Sequence, residues 1–256
     1  LYPFAFLISI LGHAQKSSTN KATRPNIIYI MSDDHTSQAW GLYGGILKDY
    51  VKNKNLKRLA AKGALLENVF CTNSICVPSR ATVLTGEYSN RNGVYTLDDA
   101  LDPQRPNIAK ELQNAGYQTA VFGKWHLKKK PSGFDAFHVL PGHGVYHNPT
   151  YLNSGNWNDE EKAGEQHTGF VDDITTDMSL DWIKKRNTDK PFFVMCHFKS
   201  THEPFDFAER FKHLYDDVTF PYPSTFNDSG AVTTGRSFPG QTLEEMGNRY
   251  HQASIG

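Results

Sequence analysis

Three apolar runs constrain this chain most: Ile27–Met31, Tyr117–Phe122 and Phe192–Phe198. Runs of that length, interrupted only by Gln118, Thr119 and His197, fit strands buried on both faces. Between them lie helical patterns. Asn55–Lys62 spaces Leu56, Leu59 and Ala60 for one face and stops at Gly63, and 106–115 is amphipathic and stops at Gly116. Residues 170–186 place Ile174, Met178, Leu180, Trp182 and Ile183 inward. Strands alternating with helices indicate an α/β domain. Each run also gives way to ionisable residues at its C-terminal end: Ser32-Asp33-Asp34-His35, Gly123-Lys124-Trp125-His126 and Lys199-Ser200-Thr201-His202. Open α/β sheets hold ligands at that edge, so one site assembled from three strand ends is expected.

The 256 residues can bury a sizeable core. With 27 basic and 27 acidic side chains there is no global field to attract nucleic acid, and no nucleic-acid motif or internal repeat is present. Three cysteines, Cys71, Cys76 and Cys196, are too few for a disulfide framework. Leu1–Leu11 is too short to span a bilayer, and Gly12-His13-Ala14 after it resembles a cleavage site. Residues 1–14 are therefore expected to be the remnant of a signal peptide of a secreted or periplasmic protein, with a buried N-terminal strand as the alternative. Residues 15–24 read as a linker and 25–256 as a catalytic domain incomplete at its C-terminus, from a longer reading frame.

The second constraint is Cys76-Val77-Pro78-Ser79-Arg80, followed by Leu84-Thr85-Gly86. Proline is tolerated in a helix's first turn, and Gly86 can end the helix. Cys76 then sits at a helix N-terminus, where orphan N–H groups and the macrodipole favour an anion. Arg80, four residues on, faces the same way and can fork onto an oxyanion. Adjacent Asp33 and Asp34 repel each other unless a cation lies between them; taken alone, they read as a solvated turn, and the Cys76 motif tips them to a cation site. Lys124 and His126 fall on one side of an extended segment, a cation beside a titratable imidazole.

Together these residues resemble the sulfatase family. The C-x-P-S-R pentapeptide with its downstream Thr-Gly matches the first signature of that family. Gly116-Tyr117-Gln118-Thr119 through Gly123-Lys124-Trp125-His126 matches the second, and His202-Glu203-Pro204 the H-x-P element. The resemblance implies an alkaline-phosphatase-like α/β/α sandwich with a largely parallel mixed sheet, its C-terminal part missing. It implies hydrolysis of a sulfate ester through formylglycine, made from Cys76 by a maturation enzyme. A thiolate attacking sulfur would have no internal route to expel sulfate, whereas a hydrated aldehyde has a second hydroxyl for that step.

By the same resemblance Asp33, Asp34 and Cys76 hold one divalent cation, Ca²⁺ by analogy, with further ligands beyond residue 256. Cys76, Arg80, Lys124, His126 and His202 are catalytic: His202 protonates the leaving alcohol and His126 takes a proton from the second hydroxyl. Lys199 and His143 contact substrate. The aromatic and histidine-rich stretch 137–158, inside a loop expected over Pro131–Asn158, points to a sulfated carbohydrate, because rings stack on sugar faces. Ala64–Phe70 is expected to be a strand leading into the Cys76 loop. The fragment by itself is expected to be inactive. Two alternatives remain at this stage: a phosphate or phosphonate ester hydrolase of the same superfamily, and a non-catalytic fragment that binds anionic glycans.

Overall fold

The computed structural model describes residues 24–162 and 164–224; the expected leader and most of the linker lie outside them, as does everything after residue 224. In chain order the elements are β1 (Ile27–Met31), α1 (Lys54–Lys62), α2 (Cys76–Thr85), α3 (Ser89–Asn92), α4 (Ile108–Asn114), β2 (Gln118–Lys124), β3 (Ala136–Leu140), β4 (Thr150–Asn153), β5 (Glu165–Gln166), α5 (Val171–Lys185) and β6 (Phe192–His197). They form one six-stranded sheet in the order β1-β6-β2-β3-β4-β5. β1, β6, β2 and β3 pair in parallel, and β4 and β5 continue the sheet antiparallel.

The period of two along the strands sorts the core into layers. Val121, Phe137, Val139, Phe193 and Met195 pack on one face against Val77, Ala81 and Leu84 of α2 and Ala109 of α4. Ala120, Phe122, Phe192 and Val194 face the other way, onto Met178, Trp182 and Ile183 of α5. A third cluster, Leu140, Tyr146, Tyr151 and Val171, ties the β3–β4 connection to the start of α5. This is the expected α/β/α sandwich. Each fully buried aliphatic side chain in it contributes about 1.5–3 kcal/mol.

Four expectations need correcting. β1 is buried on one face only: Ile27 and Tyr29 pack on the core, while Ile28 and Ile30 are 56% and 59% exposed. Among the described residues β1 is the edge of the sheet, and no element covers its second face. Ala64–Phe70 forms no strand; it runs exposed and without ladder partners, since high β-propensity without a neighbouring edge does not make a strand. The loop expected over 131–158 contains β3 and β4, which its Gly, Pro and Asn residues obscured. Leu180 points outward at 46% exposed, and small Thr175 and Ser179 take the tightest positions of α5.

Candidate active site

Asp33 follows β1 and is the node of the site. Its backbone N–H donates to Ser200 O at 2.9 Å, and its carbonyl accepts from Thr201 N–H at 2.7 Å, so the loops after β1 and β6 are tied together. The buried carboxylate receives the Lys124 ammonium, lies 3.4 Å from the Arg80 guanidinium, and is 3.8 Å from Cys76 Sγ. Burial alone would raise its pKa; Arg80 and Lys124 outweigh that and hold it below the usual carboxylate range.

Cys76 is the first residue of α2, as expected, and Pro78 lies within the first turn. Ile75 precedes it in extended conformation and offers no side-chain cap, so the helix N-terminus opens toward the site. Gly86 ends the helix in the left-handed region at φ 68°. Burial pushes the Cys76 thiol up, Lys124 counteracts, and Asp33 and Asp34 add to the rise. All three cysteines are free.

Arg80, one turn along α2, donates to the Lys124 carbonyl and faces Asp33 on the same side as Cys76. Lys124 closes β2 and is fully buried. Strand alternation predicts Lys124 and His126 on one side, but the backbone brings them there differently. β2 ends at Lys124, Gly123 has φ 92°, and His126 is left-handed at φ 55°. Only glycine fits at Gly123: a Cβ there would lie 1.9 Å from the His197 carbonyl oxygen.

Three imidazoles line up across the site, with ring centroids 4.1 Å apart for His126–His143 and 4.8 Å for His143–His202. Burial, then His143, Lys124 and Arg80, bring His126 down to about 3. Burial, then Lys124 and His202, bring His143 down to about 4, and its Nδ1 lies 3.3 Å from Lys124 Nζ. His202 Nδ1 is 2.7 Å from the Glu203 carbonyl, which can only accept; the ring therefore keeps its proton on Nδ1 and turns Nε2 to the site, 3.7 Å from Asp34. Lys199 is buried, its ammonium 4.7 Å from the Tyr146 ring centroid. Burial, followed by Lys124, lowers its pKa.

A cavity of about 750 Å³ runs past Asp34, Cys76, His143, Lys199 and His202. A smaller one of about 360 Å³ reaches Asp33 and Arg80 from the other side of Cys76. All the residues singled out from sequence therefore border one place. The metal grouping differs from the expectation. Donor atoms of Asp33, Cys76 and His202 all lie within 4.8 Å of one another, while Asp34 stands outside that group, exposed and left-handed at φ 50°.

The aromatic rings of 137–158 are not free to stack on a sugar: Phe137, Tyr146 and Tyr151 are buried, and Trp157 packs on the core. Three residues escaped the sequence analysis. His197 donates from Nδ1 to the Lys124 carbonyl at 3.1 Å, Asp172 accepts the N–H groups of Lys199 and Ser200, and Tyr146 donates to the His202 carbonyl. His197 ends an apolar run and Asp172 opens a helix, yet neither position separates a site residue from a buried or capping one.

Residues 25–247 match the family model described as sulfatase. The chain is 36% identical over 232 residues to N-acetylglucosamine-6-O-sulfatase of Bacteroides thetaiotaomicron, covering 89% of this chain and 39% of that one. It is 32% identical over 211 residues to human N-acetylgalactosamine-6-sulfatase, covering 70% and 40%. A solved structure in complex with its substrate D-glucosamine-2-N,6-O-disulfate superposes with a TM-score of 0.75 at 35% identity, covering 81% of this chain and 41% of that one. The chain thus spans about two-fifths of the length of these relatives.

Proposed function

The chain belongs to the sulfatase family, and on that premise we infer that its site hydrolyses a sulfate ester, with a 6-O-sulfated hexosamine as the substrate class. The observation that carries the reading is the surround of Asp33 and Cys76: two buried cations, Lys124 and Arg80, with His143, His202 and Lys199 on the cavity and His126 packed behind His143. Relatives named for 6-sulfated N-acetylhexosamines, alike over most of this chain, support the sugar.

The residues present fit a divalent cation in part. Asp33 and Asp34 offer hard oxygens, and Asp33 is held ionised. Asp33, from the close donor group, and Asp34, once its exposed side chain turns inward, would hold it, and it would supply charge stabilisation for an oxyanion. A formylglycine at position 76 would supply the hydroxyl nucleophile and the route by which sulfate leaves. Plain Cys76 suits the reaction poorly, since its raised pKa keeps it a thiol at neutral pH.

The remaining work belongs to side chains. Arg80, Lys124 and Lys199 neutralise charge developing on the sulfuryl oxygens. His202, its Nδ1–H on the Glu203 carbonyl and its Nε2 facing the cavity beside Asp34, is placed, as the imidazolium, to protonate the leaving alcohol from Nε2. His126, brought down to about 3 in the free site by burial and the cations around it, is neutral there, and becomes the proton acceptor once an anionic sulfate group offsets those cations. His143 lies between them at the cavity wall and contacts substrate.

We also propose export from the cytoplasm, on the strength of Leu1–Leu11 and the small residues after it. No helix among the described residues is long and apolar enough to cross a membrane.

Paired assays test the reading. The full-length protein, produced with a formylglycine-generating enzyme, should release sulfate from D-glucosamine 6-sulfate and little phosphate from the 6-phosphate. The reverse order would favour a phosphate or phosphonate ester hydrolase; a phosphonate monoester hydrolase shares the fold, at a TM-score of 0.57. Glycan binding with no turnover would favour the non-catalytic alternative.

A further inference from the structure

Tyr146 and Asp172 lie outside the cavity wall, yet both hold the loop after β6 that brings Lys199 and His202 to it. Asp172, in the first turn of α5, uses both carboxylate oxygens: Oδ1 accepts from Lys199 N–H at 2.8 Å and Oδ2 from Ser200 N–H at 3.1 Å. Tyr146 is 4% exposed. Its hydroxyl donates to the His202 carbonyl, and its ring lies beneath the Lys199 ammonium at 4.7 Å. The Tyr146 carbonyl in turn accepts from Val171 N–H at 2.8 Å, and Phe170 stacks on the Tyr146 ring. Tyr146, the start of α5 and the 199–202 loop are thereby one hydrogen-bonded unit.

We propose that Tyr146 and Asp172 are positioning residues that set where Lys199 and His202 stand in the cavity, a proposal that rests on the sulfate-ester reading. Three of the four contacts are to backbone, so they fix the loop and leave both side-chain heads free to act. The fourth, ammonium over ring, holds Lys199 without neutralising it as a carboxylate would. The division of labour is specific. The Tyr146 hydroxyl acts on the His202 end, through its carbonyl; the Tyr146 ring acts on the Lys199 end. A proton donor must lie within hydrogen-bond reach of the leaving oxygen, and small displacements there weaken the acid step before they weaken binding.

The test uses the full-length matured protein and two substrates, D-glucosamine 6-sulfate and nitrophenyl sulfate, the second of which leaves without an acid. Tyr146→Phe keeps the ring and removes the hydroxyl. The kcat ratio of sugar to aryl substrate should fall about tenfold, with KM for the sugar within about twofold and the melting temperature near wild type. Asp172→Asn should shift the ratio the same way, since its amide nitrogen, a donor, would face one of the two N–H groups the carboxylate accepts. Tyr146→Leu, which also removes the ring, should raise the sugar KM as well. Equal losses on both substrates would overturn the proposal in favour of a merely structural role, as would an unchanged ratio. His202→Ala run alongside separates the layers. A fall there without one in Tyr146→Phe overturns the positioning role alone. No fall in His202→Ala contradicts the acid assignment beneath it.

Discussion

Burial beside Asp33 and Asp34 raises the pKa of Cys76, while Lys124 and Arg80 pull the other way. The same two cations hold Asp33 ionised. One carboxylate therefore organises the charges, and the chemistry divides among the histidines by what each ring nitrogen faces. His202 keeps Nδ1 on a carbonyl and presents Nε2. His202→Ala should lose about 10²- to 10⁴-fold on a sugar sulfate and distinctly less on nitrophenyl sulfate, measured as kcat on each; equal losses would reject it as the acid. Cys76, Arg80, Lys124 and His202 were legible from the sequence because each sits in the first two turns of a helix, at a strand end or in the loop just after one, beside a recognisable local pattern. Tyr146 and Asp172 were not, because they act through the backbone of a loop distant in sequence, and no short motif records such a contact.

At the scale of elements, β2 and β6 approach so closely that their junction tolerates no side chain. Gly123→Ala would place a methyl against the His197 carbonyl and force a left-handed φ on a residue with a Cβ. The cost should exceed about 3 kcal/mol, read as a fall in the denaturant midpoint, with loss of site geometry since Lys124 is the next residue. A neutral substitution would mean that the strands move apart freely. The main helices and the central strands were readable from apolar runs and periodicity, and their parallel order from the family resemblance. The second face of β1 was not, because a continuous apolar run does not say whether both faces find a partner. β3 and β4 were masked by turn-forming residues close on either side, and the rings expected to meet a sugar, such as Phe137 and Tyr151, serve the core. The sugar reading now rests on relatives rather than on those rings.

For the whole molecule, the buried imidazoles make stability depend on pH with a definite sign. His126 and His197 are both brought down to about 3, chiefly by burial, while an unfolded chain protonates near the ordinary value of 6.5. Between those limits the unfolded state binds more protons, so stability is fully present above about pH 6.5 and declines as pH falls toward 3. Ionised Asp33 adds to the loss in the acid range around and below its ordinary value of 3.8. Denaturant titrations at pH 7 and 4.5 should show the protein weaker at the lower pH by roughly a few kcal/mol, because both rings must give up a proton to fold. His197→Asn, which keeps a donor for the Lys124 carbonyl, should narrow that gap; an equal gap in the variant would place the acid sensitivity elsewhere. The proposed chemistry turns on Cys76 being the precursor of the nucleophile. The most direct measurement is the mass of the peptide spanning residues 71–80 from matured full-length protein, taken with its turnover of D-glucosamine 6-sulfate. The peptide should be about 18 Da lighter than the thiol form, in proportion to activity, and Cys76→Ala should show no turnover. Full turnover by protein whose Cys76 remains a thiol, or by Cys76→Ala, would contradict that chemistry.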